Sequence, residues 1–175
     1  MNAAKSIVLI GMMGAGKSSV GRCLQRRTGL ARLDTDEMLA AQFGKPIPEI
    51  FATDGENKFR DAETSVLDKL APDRPAIIVT GGGIVLRPEN IDLLKKLGAV
   101  VWLMADDATL FERASRRNDR PLLLKENPRA VYSELLRQRE PLYAAAADLR
   151  VDTSKKSHDE VADAILAKLD ELAPR

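Results

Sequence analysis

Apolar residues fall along this chain in short blocks separated by longer, helix-like stretches. Residues 7–10, 31–33, 76–80 and 100–104 are apolar runs that read as strands, and 149–151 is a fifth, weaker one. Helical patterning fills the intervals: 17–28 after the first strand, 36–43 and 56–70 after the second, 88–97 after the third, 107–116 and 128–140 after the fourth, and 158–172 after the fifth. Pro88 suits a first helical turn and Gly98 ends that helix. Pro141 is expected to end the helix that carries Arg139. Residues 44–55, with Pro46 and Pro48, read as an excursion from the sheet. Strand–helix alternation of this kind implies an α/β three-layer sandwich, with a central five-stranded parallel sheet covered by helices on both faces. No repeat, low-complexity segment or linker marks a second domain, so residues 1–175 are expected to form one.

The stretch between the first strand and the first helix carries chemistry. Gly11-Met12-Met13-Gly14-Ala15-Gly16-Lys17-Ser18 has the spacing Gly, four residues, Gly-Lys-Ser/Thr, the phosphate-binding loop of P-loop nucleotide enzymes. Its glycines let backbone amides turn inward around phosphate oxygens, and the new helix aims its unsatisfied N–H groups and positive dipole end at the same point. Lys17 would reach the β- and γ-phosphates, and the Ser18 hydroxyl would ligate Mg²⁺.

Charge does not point elsewhere. The 27 Lys+Arg and 26 Asp+Glu leave a net charge of +1, which gives no global attraction to nucleic acid or membrane. Local arginine groups therefore matter more than the total. The single cysteine, Cys23, allows no internal disulfide and suits a reducing cytoplasm; it reads as packing. The N-terminal apolar stretch is too short for a membrane span and lacks a signal-peptide cleavage pattern. Trp102 lies in an apolar run and reads as core.

In open parallel sheets ligands bind beyond the carboxyl ends of the strands. Asp34-Thr35-Asp36 follows the second strand. Its residues could cap the next helix, or one carboxylate could hold the Mg²⁺ shell through water while the other orients a hydroxyl and accepts its proton. Gly81-Gly82-Gly83 follows the third strand, either as a tight turn or as bare backbone that lets a ligand approach. Arg113, Arg116, Arg117 and Arg120 follow the fourth, and Arg120 precedes Pro121, which places it in a loop.

The ordered set of the phosphate loop, Asp34-Thr35-Asp36, Phe59-Arg60 with Glu63, Gly81-Gly82-Gly83, Arg120-Pro121-Leu122-Leu123 and Arg139-Glu140-Pro141-Leu142-Tyr143 resembles shikimate kinases across nearly the whole chain. The resemblance implies a P-loop NTPase fold of the nucleoside-monophosphate-kinase-like kind, with a substrate-binding excursion over about 36–63 and a lid over about 113–125. It implies transfer of the γ-phosphoryl group of ATP to the 3-hydroxyl of shikimate, with Mg²⁺, in aromatic amino acid biosynthesis. It also implies a cytoplasmic monomer that binds neither nucleic acid nor membrane.

By the same resemblance, Lys17, Asp36 and Arg120 are catalytic. Gly14, Ala15, Gly16, Lys17, Ser18, Ser19, Arg113, Arg120 and Lys156 hold the nucleotide. Asp36, Arg60, Gly82 and Arg139 hold shikimate, and Ser18 and Asp34 hold the metal. Arg60 and Arg139 would grip the substrate carboxylate through planar guanidinium forks, with Glu63 one turn after Arg60 to fix it. Arg120 would close over the transferring group, and Arg113 would stack on adenine. Arg137 lies off the motif and reads as solvated. The chain departs from the family pattern at residues 155–158: Lys156 matches a basic residue, but His158 stands where the pattern has proline. His158 reads as a loop or helix-start residue, not a catalytic group.

Two other functions compete. A gluconate or nucleotide kinase could share fold and loop, but two arginines plus an aspartate suit a compact hydroxylated carboxylate. A nucleotide switch without an acceptor lacks support. Asn57-Lys58-Phe59-Arg60 is missing the aspartate of a guanine-reading Asn-Lys-x-Asp, and no Asp-x-x-Gly is present.

Overall fold

Ser6–Ile10 form β1, buried along its whole length, at the centre of a parallel sheet of order β2-β3-β1-β4-β5. The computed structural model describes residues 5–70, 72–116 and 126–172. The other strands are β2 (Ala31–Asp34), β3 (Ala76–Val79), β4 (Gly98–Met104) and β5 (Leu149–Asp152). In register, Ile7 lies beside Ile77 on one side and Ala99 on the other. The helices are α1 (Lys17–Thr28), α2 (Thr35–Phe43), α3 (Ile47–Thr53), α4 (Glu56–Lys69), α5 (Pro88–Leu97), α6 (Asp107–Ser115), α7 (Pro128–Ala146) and α8 (His158–Leu172). Strand order reverses at β1, so the helices cover both faces: α1 packs with α8, and α5 with α7. Val8, Leu9, Ile77, Ile78, Val100, Val101 and Leu103 are wholly buried between them, and Trp102 stacks on Tyr143 at 5.8 Å between ring centroids. Cys23 is buried, in keeping with packing. No helix among the described residues is long and apolar enough to cross a membrane.

Two elements differ from the sequence expectation. The stretch read as an excursion holds α3, where Pro48 occupies the first turn, a position that starts a helix instead of forbidding one. Leu39, Ile50, Phe59 and Val66 then close a small separate core under α2, α3 and α4. The second difference is α7, which runs through Pro141 to Ala146 and does not stop at residue 140. Pro141 is exposed, as is Arg137, whose carbonyl loses its helical donor to the proline. Tyr132, Arg139, Tyr143 and Ala146 are buried on both sides of the proline, and their packing outweighs an interior-proline cost of about 3 kcal/mol.

Candidate active site

The chain leaves β1 at Ile10 and turns through Gly14 (φ 90°) and Gly16 (φ 89°), both left-handed, into α1. Gly14 backs onto α6, where a Cβ would collide with the Leu110 carbonyl oxygen, so only glycine fits. The first turn of α1 has no acidic residue and no capping side chain. Its amides and its positive dipole end therefore remain for an anion. Lys17 Nζ donates to the carbonyls of Gly11 (2.6 Å) and Met12 (3.2 Å). The Tyr132 hydroxyl donates to the Met13 carbonyl at 2.6 Å, which ties the loop to α7.

Beside this loop, three successive glycines carry three charged groups. Asp36 lies against Gly81, where a Cβ would come within 2.6 Å of Oδ1. Arg139 lies against Gly82, its Nη1 3.7 Å from the Cβ position, and the Met13 nitrogen is 3.5 Å from that same position. Arg60 lies against Gly83, its Nη2 2.5 Å from the Cβ position. Cβ atoms at 81 and 83 would meet the ends of the Asp36 and Arg60 side chains, so the bare backbone at these positions leaves room for both charged groups.

Arg60 is held from several sides. Its Nη1 donates to Glu63 Oε2 at 2.8 Å, its Nε donates to Glu56 at 3.3 Å, and the rings of Phe51 and Phe59 flank the guanidinium at 5.7 and 5.2 Å. Glu63 is wholly buried, and that burial pushes its carboxyl upward, opposed by the Arg60 charge. Arg139 is 6% exposed, with Nη1 at 4.0 Å from the Met12 sulfur. Arg139 Nε, Glu63 Oε1 and the Thr35 hydroxyl are buried without a hydrogen-bond partner in the protein. Buried donors of this kind are ordinarily satisfied, and a ligand carboxylate between Arg60 and Arg139 would satisfy the guanidinium.

Asp34 sits elsewhere in this scheme. Its Oδ1 accepts the amides of Asp36 (3.1 Å) and Glu37 (3.4 Å) and so caps α2, while Oδ2 accepts from Arg32 Nη1 at 2.9 Å. The capping alternative is therefore realised at Asp34, and Asp36 is the carboxylate left to face the glycines.

Sequence reasoning gave Tyr143 no role. Its hydroxyl donates to the Gly82 carbonyl at 2.5 Å and lies 3.8 Å from the Met12 sulfur; burial pushes the phenol up to about 12. Tyr143 is four residues after Arg139 on one helical face, a relation hidden by the expectation that the helix stops at Pro141.

On the far side of the loop, Arg113 donates to Thr153 Oγ1 (3.0 Å) and to the carbonyls of Thr153 (2.9 Å) and Ser154 (3.3 Å). Lys156 Nζ donates to the Asp152 carbonyl at 3.2 Å. Arg116 is exposed and pairs with Glu112. Arg137 is exposed and pairs with Glu134, consistent with its off-motif position. Arg117, Arg120 and most of the lid expected over 113–125 lie outside the described residues.

A family model described as shikimate kinase matches residues 13–170. This chain belongs to the shikimate kinase family. Among its relatives is the shikimate kinase of Thermodesulfovibrio yellowstonii, 42% identical over 169 residues that cover 97% of each chain. Among solved structures, the shikimate kinase from Acinetobacter baumannii in complex with shikimate superposes with a TM-score of 0.91 at 36% identity, covering 98% of this chain and 96% of that one. A gluconokinase from Sinorhizobium meliloti reaches a TM-score of 0.61 at 21% identity over 99% of this chain and 95% of that one. That likeness is one of fold alone, so family membership favours the shikimate reading over the gluconate one.

Proposed function

We propose that this chain is a shikimate kinase, which transfers the γ-phosphoryl group of ATP to the 3-hydroxyl of shikimate and releases ADP and shikimate 3-phosphate. The observation that carries this reading is the placement of Asp36, Arg139 and Arg60, one against each of three consecutive glycines, next to the Met13 amide of a phosphate loop. A polyanion and a ring acid bound at these two places become neighbours, which removes most of the entropic cost of bringing them together.

In this reading the amides of residues 14–19 hold the phosphate chain. Lys17 exchanges the Gly11 and Met12 carbonyls for phosphate oxygens. Arg60 and Arg139 grip the shikimate carboxylate, Glu63 keeps Arg60 aimed, and Tyr143 fixes the Gly82 backbone beneath the ring. Asp36 accepts a hydrogen bond from the attacking hydroxyl. As the hydroxyl oxygen bonds to the γ-phosphorus, the bond from that phosphorus to the β,γ-bridging oxygen breaks, and the hydroxyl proton passes to Asp36 and then to solvent. Arg120 neutralises charge on the group in transfer, Arg113 flanks the adenine, and Lys156 lies near the same end.

The residues present suit Mg²⁺, which takes one or two protein oxygens and leaves its other positions to phosphate and water. Ser18 would supply a hydroxyl, and Asp34, already committed to its cap and to Arg32, would act through water. When bound, the ion draws off negative charge from the β- and γ-oxygens.

The test is an ADP-release assay with shikimate, quinate, gluconate and a nucleoside monophosphate as acceptors. Turnover dependent on shikimate is expected; preference for gluconate or the nucleotide would overturn the substrate assignment while leaving the fold intact. Arg139→Lys is expected to raise the KM for shikimate at least about tenfold, with a smaller change in kcat, because the ammonium cannot form the planar fork. Unchanged affinity in a binding titration would remove Arg139 from the clamp.

A further inference from the structure

We propose that Tyr143 and Asn90 are positioning residues for shikimate, which select from below the peptide orientation of the glycine backbone that the acceptor meets. This rests on the reading of Gly81–Gly83 as the floor of the acceptor site. The two side chains supply what the glycines lack, a means of holding one shape.

Gly82 and Gly83 have no Cβ, so the peptide between them rotates at little cost. The Gly81 carbonyl accepts from the Ile84 amide at 3.3 Å, and the Gly83 carbonyl accepts from the Leu86 amide at 3.0 Å. These i→i+3 bonds lead into a 3₁₀ turn over Ile84–Leu86. The series skips Gly82. Among the described residues the Val85 amide does not bond the Gly82 carbonyl, which accepts from the Tyr143 hydroxyl at 2.5 Å. A trans peptide points its C=O and N–H to opposite sides, so the same hydroxyl also aims the Gly83 amide. Without it, the 3₁₀ series can close through the Val85 amide, which rotates the Gly82–Gly83 peptide. Tyr143 is itself firmly placed, wholly buried and stacked on Trp102. Burial pushes its phenol up to about 12, so the hydroxyl remains a donor at neutral pH.

Asn90 acts one step further along the chain. It is wholly buried in the first turn of α5, and its Nδ2 donates to the Ile84 carbonyl at 2.9 Å. Ile84 is the residue whose amide holds Gly81, so Asn90 anchors the far end of the same turn. Its Oδ1 has no hydrogen-bond partner in the protein. Leucine has the same branching and would leave no buried oxygen unpaired, so the amide is explained by what its donor holds and not by packing.

Loss of either anchor divides the floor between orientations. The apparent affinity for shikimate then falls with the fraction in the competent one, while bound shikimate restores the native arrangement, so KM rises and kcat holds. Tyr143→Phe, which removes one oxygen, is expected to raise the KM for shikimate about three- to tenfold, with kcat and the KM for ATP within about twofold of native. Asn90→Leu is expected to raise it about threefold in the same pattern, and Asn90→Ala removes the same donor without added bulk if the leucine variant does not fold. Ile165→Val creates a small cavity in the core at α8, on the other face of the sheet, and lowers thermal stability with the shikimate KM unchanged. A native shikimate KM in either folded anchor variant would overturn the proposal. So would a loss of kcat or a rise in the KM for ATP as large as the change for shikimate, or a raised shikimate KM in Ile165→Val. Absence of shikimate-dependent turnover in the native protein would instead overturn the acceptor reading beneath it.

Discussion

Lys17→Met is expected to lower kcat about a thousandfold, the scale of losing one preorganised charge at the group in transfer. The native ammonium is bonded to the Gly11 and Met12 carbonyls, at 2.6 and 3.2 Å, so it already stands inside the loop and needs only a side-chain rotation to meet phosphate oxygens. Methionine keeps the apolar stem and removes the charge. Two partly buried hydrogen bonds are lost, so stability should fall by only about 1–2 kcal/mol, and thermal unfolding checks that the variant is folded. ADP affinity should drop along with turnover. Shikimate affinity should hold, because Lys17 is not among the residues proposed to grip the acid. A variant with near-native kcat would mean that the loop does not serve the transferring phosphate.

Arg120→Ala is expected to lower kcat by a factor of about one hundred or more, with shikimate affinity little changed. Arg60 and Arg139 already supply two guanidinium groups for a carboxylate, and a third is not needed there. In the proposed reading Arg120 instead meets the charge that builds up on the phosphoryl oxygens. It follows α6 in the sequence, and α6 packs against Gly14 of the phosphate loop. Rapid-quench measurement of the chemical step separates this effect from product release. A variant that turns over normally but binds shikimate poorly would move Arg120 to the acceptor site.

The sheet was legible in the sequence because its strands are continuous apolar runs between helices, and all five strands lie within two residues of their expected bounds. The phosphate loop was legible because a loop that wraps phosphate with backbone has a fixed glycine spacing. Part of what escaped came from prolines. Pro48, within the expected excursion, lies in the first turn of α3, and Pro141, the expected stop, lies inside α7. Local rules gave the cost of a proline correctly, but the burial of Tyr143 and Ala146 that offsets it is a tertiary fact. The same error concealed Tyr143 beside Arg139. Asp34 and Asp36 could not be told apart by residue type; only the hydrogen bonds from the Asp36 and Glu37 amides separate the cap from the carboxylate that faces Gly81. The pairing of each glycine with its own charged partner was likewise invisible, since it joins α2, α4 and α7 across the end of β3.

A crystal structure of the protein with ADP and shikimate bound tests the central claim most directly. The account predicts the shikimate carboxylate between Arg60 and Arg139, its ring over Gly82, and its 3-hydroxyl near Asp36 and in line with the terminal phosphorus of the nucleotide. Shikimate lodged away from Gly81–Gly83, or oriented with its carboxylate toward the phosphate loop, would contradict it.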